Sequence, residues 1–258
     1  MSVAIALIQL DNYNQMTATV ETLDRASASV ADIALRFPHA IDILNKHHLD
    51  YCCNGKKRFD DVCKENNLDP EQIWQELQHA NGGSTTRKPD RFESWTLTLL
   101  IDYIVMNHHV YVTRAIPEIK GLLNKVCNAH GEDQPYLLSV REKFNSLSQE
   151  LLAHMTKEEE ILFPAIKKIE QNALTIKSSP SSDNLTIPIM VMEHEHEIAG
   201  DLVKSIRTLT NNFMPPAFAC PTFLIAYKML QEFDNDLMQH IHLENNILFP
   251  NAKKLTEN

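Results

Sequence analysis

Two stretches of the 258-residue chain repeat one arrangement of metal-ligating side chains. His154-Met-Thr-Lys-Glu158-Glu-Glu-Ile161-Leu162-Phe163-Pro164 matches His240-Ile-His-Leu-Glu244-Asn-Asn-Ile247-Leu248-Phe249-Pro250 at a constant offset of 86 residues, and Lys167-Lys168 matches Lys253-Lys254 beyond it. Positions i and i+4 lie one turn apart on a single helix face. Each His-x3-Glu pair can therefore present an imidazole and a carboxylate to one metal ion or to two adjacent ions. A single such pair is more often a solvated surface pair, but two copies in register on two helices make ligation the better reading. Apolar neighbours turn His154 and His240 toward a buried interior. His242 falls about 200° around the helix from His240 and is expected to face outward. The ILFP tetrads read as core packing and a helix kink, with Ile161, Leu162, Ile247 and Leu248 in the core.

More imidazoles lie in IDYIVMNHHVYV, with His108 and His109, and in IPIMVMEHEHEIAG, with His194 and His196. Adjacent histidines cannot both point inward, so the residues alone supply one from each group. Four imidazoles and two carboxylates form a mixed nitrogen–oxygen set that suits iron, and paired carboxylates can bridge two metals. Zinc and manganese are also compatible with these ligand types. Glu150, four residues before His154, and Glu195, beside His196, are candidate partners of the ligands and equally good solvated charges.

Four long segments of helical pattern must position these groups, over about 93–126, 136–170, 188–210 and 222–254, separated by breaker-rich stretches. Pro117 lies inside the first and is expected to kink it. Short connections favour antiparallel neighbours, hence an up-down four-helix bundle over residues 92–258. Residues 80–91, ANGGSTTRKPDR, read as a linker (boundaries 81–91), and residues 28–80 as a small helical domain. In that domain Ser27 or Ser29 caps a helix running to Phe37. Asp69 caps another that starts at Pro70 and carries Ile73, Trp74 and Leu77 on one face. Residues 1–27 form an N-terminal extension. The fold class is all-α.

Composition agrees. Six glycines are far below the ordinary usage of roughly 7 %, which disfavours a turn-rich β fold. Thirty-four acidic against 24 basic side chains give a formal charge of −10, which argues against nucleic acid as a partner. No apolar run approaches the roughly 20 residues of a membrane span, and MSVAIALIQL lacks a basic start and a small-residue cleavage site. Five cysteines, an odd number with two adjacent, point to a reducing compartment, so a cytoplasmic protein is expected.

The His and Glu motifs, together with Asp50-Tyr51-Cys52-Cys53-Asn54-Gly55-Lys56, resemble the Repair of Iron Centers family of di-iron proteins, which carry a hemerythrin-like bundle behind a vicinal-cysteine domain. The resemblance runs from about residue 28 to the C-terminus, with Asn54 where a glycine is often found. It implies the ligand set His109, His154, Glu158, His196, His240 and Glu244, and two non-haem irons per chain. It further implies that Glu158 and Glu244 bridge the irons beside an oxo or hydroxo group. In that pattern His109 and His240 complete one iron, and His154 and His196 the other.

Cys52 and Cys53 are the candidate reactive pair. Vicinal cysteines make strained disulfides, while Lys56, Lys57 and Arg58 nearby would favour thiolate. A buried structural role is the competing reading. Cys63, Cys127 and Cys220 lack such a setting and read as structural. The expected function is repair of iron–sulfur clusters damaged by oxidative or nitrosative stress. Damaged iron–sulfur proteins, NO, O2 and a second copy of the chain are candidate partners. Iron donation, NO reduction and nitrosyl transfer stay open as the chemistry. A hemerythrin-like module that binds or senses O2 or NO is the alternative, and a zinc hydrolase the remotest reading.

Overall fold

The computed structural model describes residues 23–37, 39–82, 92–175 and 185–257. Most of the N-terminal extension and of the linker lies outside the described residues, as does Pro38. The described residues are helical, with one isolated bridge between Ser29 and Arg58.

Four short helices come first: α1 (Val30–Arg36), α2 (Ala40–Lys46), α3 (Phe59–Glu65) and α4 (Pro70–Gly82). Ser29 caps α1 in a full capping box with Asp32, and the Asp69 carboxylate accepts from the Glu71 N–H at the start of α4. Ile73, Trp74 and Leu77 are buried as their spacing requires. Helices α2 and α3 lie between the two helices expected in this unit, and at seven residues each they are too short for a periodic signal. Helix α4 reaches Gly82 and so enters the expected linker.

The bundle follows: α5 (Leu97–Ile104), α6 (Val110–His130), α7 (Tyr136–Lys157), α8 (Phe163–Thr175), α9 (Thr186–Leu209), α10 (Pro221–Leu243) and α11 (Phe249–Glu257). Three π turns, Val105–His109, Glu158–Leu162 and Glu244–Leu248, splice α5 to α6, α7 to α8 and α10 to α11. These are continuous rods, so the bundle has four helical legs. Helix α6 packs on α7 and α10, and α7 on α9. Pro117 sits within α6 without ending it. The irregularity falls instead on the π turns, where Phe163 and Phe249 donate to the Glu158 and Glu244 carbonyls five residues back. Pro164 and Pro250, lacking an N–H, stand just where the ordinary ladder is broken.

Two apolar clusters fill the interior. One joins α6, α7, α9 and α10 to the four short helices, through residues such as Phe144, Phe233, Tyr51 and Phe59. The other, at the opposite end of the bundle, gathers α5, α8 and the start of α9 around Leu248 and Phe249. Between them lies a layer of buried histidines and glutamates. Leu162, Ile247 and Leu248 are in the core as expected, but Ile161 is 65 % exposed. No described helix is long and apolar enough to cross a membrane.

Candidate metal centre

His109, His154, Glu158, His196, His240 and Glu244 converge in that layer, each at most 3 % exposed. Their ligand atoms form two overlapping groups, His109–His240 and His154–His196, each completed by both glutamates, with the atoms of a group within 4.8 Å of one another. The glutamates are shared oxygen by oxygen. Glu158 Oε2 lies 3.5 Å from His109 Nε2, and its Oε1 lies 3.3 Å from His154 Nε2. Glu244 Oε1 lies 3.0 Å from His240 Nε2, and its Oε2 lies 3.1 Å from His196 Nε2.

The outer faces of the imidazoles decide what this arrangement wants. The Nδ1 of His109 faces Glu159 at 2.8 Å, that of His154 faces Glu195 at 2.9 Å, and that of His196 faces Asn245 Oδ1 at 2.9 Å. These partners accept, so the network assigns the proton to Nδ1 and leaves each Nε2 a bare lone pair. Yet the Nε2 atoms of His154 and His196 stand 3.0 Å apart, and those of His109 and His240 3.1 Å apart. Nitrogens this close beside buried carboxylate oxygens call for positive charge between them, which a metal cation would supply. Glu158 Oε1 and Oε2 and Glu244 Oε2 accordingly have no hydrogen-bond donor.

Electrostatics agree. Burial opposes ionisation of Glu244, but His240 and His196 outweigh it and hold its carboxyl well below the ordinary range. Burial likewise opposes a charged His154, yet Glu158 beside it raises that imidazole to about 9. Two carboxylates that stay ionised in a dry layer require positive charge at the same place. Four imidazoles and two carboxylates, without thiolates, fit iron.

The same 86-residue repeat extends to the partners of the ligands. Glu159 and Asn245, each following a shared glutamate, hold His109 and His196. Spacing within one helix cannot reveal this, because each reaches a histidine on another leg. Glu195 serves His154, the bundle's next histidine, while Glu150 is exposed and remote in role. His194 is exposed. His108 is buried, bonds Asp236 at 3.0 Å and stacks on the His240 ring at 5.6 Å. The expectation that His242 faces outward is half corrected: it points away from the glutamates but is 1 % exposed. Its ring packs on Tyr51, and its Nδ1 takes a hydrogen bond from Asn246. The small N-terminal unit covers that face.

This unit also brings Cys52 and Cys53 to the bundle. Cys52 is buried, with Sγ 3.4 Å from Met238 Sδ and 3.4 Å from Cys53 Sγ. Burial pushes its thiol well above the ordinary range, with Cys53 and Asp50 adding to the effect. The expected thiolate is thus overturned at Cys52. Lys57 pairs with Glu65 and Arg58 with the Ala26 carbonyl, so neither cation is aimed at it. Cys53 is half-buried, its Sγ 3.5 Å from the His196 carbonyl, at the wall of a cavity of about 130 Å³ also lined by Glu193, Glu197 and Asn245. The structural reading of Cys220 changes as well. It precedes α10 as its N-cap residue, 3.4 Å from His130 Nε2. The His130 contact, then the Phe223 N–H, lowers its thiol. Cys220 should therefore be the first of the five cysteines alkylated by iodoacetamide near neutral pH. Peptide mapping that finds Cys52 modified first would contradict the burial described above.

Comparison with known proteins fits this geometry. The hemerythrin HHE cation binding domain matches residues 100–252, and a domain of unknown function (DUF542, ScdA_N) matches residues 26–81. The iron-sulfur cluster repair protein YtfE of Yersinia pseudotuberculosis is 34 % identical over 233 residues, 89 % of this chain and 98 % of the relative. The chain belongs to the iron–sulfur cluster repair family. A probable iron-sulfur cluster repair protein of Haemophilus influenzae is 35 % identical over 225 residues, 87 % of this chain and 96 % of that protein. Family membership makes the bundle an iron-binding hemerythrin-like domain, and the two matched regions meet at the cysteine segment.

Proposed function

We propose that this chain repairs damaged iron–sulfur clusters, using two iron ions held between the four legs of its bundle. The carrying observation is the two couples of facing imidazole Nε2 atoms, 3.1 and 3.0 Å apart, over two buried carboxylates shared between them. His109 and His240 would hold one ion, His154 and His196 the other, with Glu158 and Glu244 available to both. Iron bound there supplies exchangeable metal and a centre that can accept a small diatomic ligand such as NO or O2.

The chain's own residues set the terms of exchange. Glu159, Glu195 and Asn245, each on an Nδ1, hold the rings of His109, His154 and His196 with Nε2 toward the centre, which lowers the reorganisation needed to take up metal. A donor set without thiolates binds iron less tenaciously than a cluster site rich in sulfur, so metal can move from this centre to a client. Residues 28–80 form the cysteine-bearing unit, 81–91 the linker and 92–258 the iron-holding bundle. Cys52 and Cys53 lie on the path between bundle and client. The free thiols fit a reducing compartment, and we place the protein in the cytoplasm, acting on iron–sulfur proteins damaged by oxidants or nitric oxide.

The test is metal content together with repair. The purified protein should carry close to two irons per chain and restore activity to a nitric-oxide-damaged iron–sulfur enzyme. Zinc alone would refute the iron reading. Two irons with tight NO binding and no restoration would identify the binding or sensing module instead.

A further inference from the structure

The two halves of the repeat differ at one position that touches a ligand. Glu159 and Asn245 are equivalent, and each receives the Nδ1–H of a histidine on another leg. Glu159 is 46 % exposed and its Oε1 accepts from His109, a contact for which a carboxylate suffices. At the other end, Asn245 Nδ2 also reaches the backbone carbonyl of Cys52, at 3.5 Å. A carboxylate there would face a carbonyl with no proton between them, whereas a carboxamide carries an acceptor and a donor on one carbon.

That second contact fixes the orientation of the amide. The Cys52 carbonyl can only accept, so Nδ2 must face it and Oδ1 must face His196. His196 then carries its proton on Nδ1 and turns the bare Nε2 toward Glu244 and His154. The cysteine segment is pinned around the same histidine from other directions. Asn246 Nδ2 donates to the Tyr51 carbonyl at 3.1 Å, and Cys53 Sγ approaches the His196 carbonyl at 3.5 Å. Gly200, one turn beyond His196, leaves room for that thiol, since a Cβ there would stand 3.3 Å from Cys53 Sγ.

We propose that Asn245 is a positioning residue that couples the docked Tyr51–Cys53 segment to the metal centre, the Cys52 carbonyl selecting through it the His196 tautomer that binds iron. The inference rests on the iron-holding role of His196 proposed above. When the segment lifts away, the amide is free to turn over and present Nδ2–H to His196, which drives the histidine's proton to Nε2 and removes one ligand. Coupling between two sites is reciprocal, so bound iron must hold the segment down by the same factor.

The experiment compares iodoacetamide modification of Cys52 and Cys53, followed by peptide mapping, in metal-free and ferrous-iron-loaded full-length protein. Iron should slow modification of the wild type at least about fivefold. Asn245→Asp keeps the acceptor for His196 and loses the donor, so it should still bind two irons while the protection falls to none. Asn245→Ala should lose the protection and bind iron about 10–100-fold more weakly. Asn246→Ala, which removes the contacts to Tyr51 and His242 and leaves the Asn245 bridge intact, should speed modification in both states and keep their ratio. Wild type with two irons and no protection, or either Asn245 variant with wild-type protection, overturns the coupling and leaves the metal reading standing. A wild type that takes up no iron overturns both.

Discussion

Glu244→Ala protein will purify folded and nearly free of iron. Glu244 is the one side chain, with Glu158, whose oxygens address both imidazole couples, 3.0 Å from His240 and 3.1 Å from His196. Its removal takes a ligand from each ion at once. Losing a mere partner of a ligand costs about 10–100-fold in metal affinity, so losing a shared ligand should exceed about 100-fold. The fold should survive, because the apolar clusters on either side of the layer are untouched and loss of the Glu244–Glu158 repulsion offsets part of the lost pairing with His240 and His196. Elemental analysis of the purified variant, with circular dichroism to verify the helices, reads both halves. His242→Ala is the control. That imidazole packs on Tyr51, away from the glutamates, so iron should stay at the wild-type level while the cysteine segment loosens. Equal loss of iron from the two variants would show that the face assignment along α10 is wrong.

The contrast between Glu244 and His242 marks how far sequence reading reaches. The His-x3-Glu spacing, the 86-residue offset and the apolar neighbours determine which side of a helix is wet or dry with respect to its own bundle, and Glu244 follows directly. The fate of the opposite side depends on what covers it. His242 was expected at the surface because periodicity along α10 contains nothing about Tyr51, almost two hundred residues earlier. The same limit explains Cys52. Its neighbours in the chain are cationic, but in space its sulfur meets Met238, and desolvation outweighs distant lysines. Local geometry was also missed where it departs from 3.6 residues per turn. The π turns at Val105–His109, Glu158–Leu162 and Glu244–Leu248 insert an extra residue at His109, Glu158 and Glu244. Only the prolines of the ILFP tetrads signal two of them, while Pro117 lies inside α6, eight residues beyond the first. The positions one beyond each shared glutamate were visible as part of the repeat, but their acceptor role needs the neighbouring leg.

Replacing both Cys52 and Cys53 by alanine should leave two irons in place and lower repair at least about tenfold, the effect of some 1.4 kcal/mol on a rate-limiting step. Iron stays because neither sulfur belongs to the two imidazole–carboxylate groups. Stability should fall by no more than about 1–2 kcal/mol, since each substitution removes a single sulfur from the packing against Met238 and Gly200. Repair falls if the thiols handle iron or a nitrosyl group between bundle and client. Both cysteines border the cavity behind His196, but Cys53 is half-buried whereas Cys52 is only 2 % exposed and burial holds its thiol protonated. Single variants should therefore be unequal, with Cys53→Ala the more damaging. Reaction at Cys52 requires the segment to lift from the bundle, which exposes the sulfur, lowers its pKa toward the ordinary value and makes thiolate accessible. The wild-type rate of Cys52 alkylation should thus rise with pH and with any change that undocks the segment. Repair by the double alanine variant at the wild-type rate would reduce the pair to packing, leaving the bundle as the whole of the repair machinery.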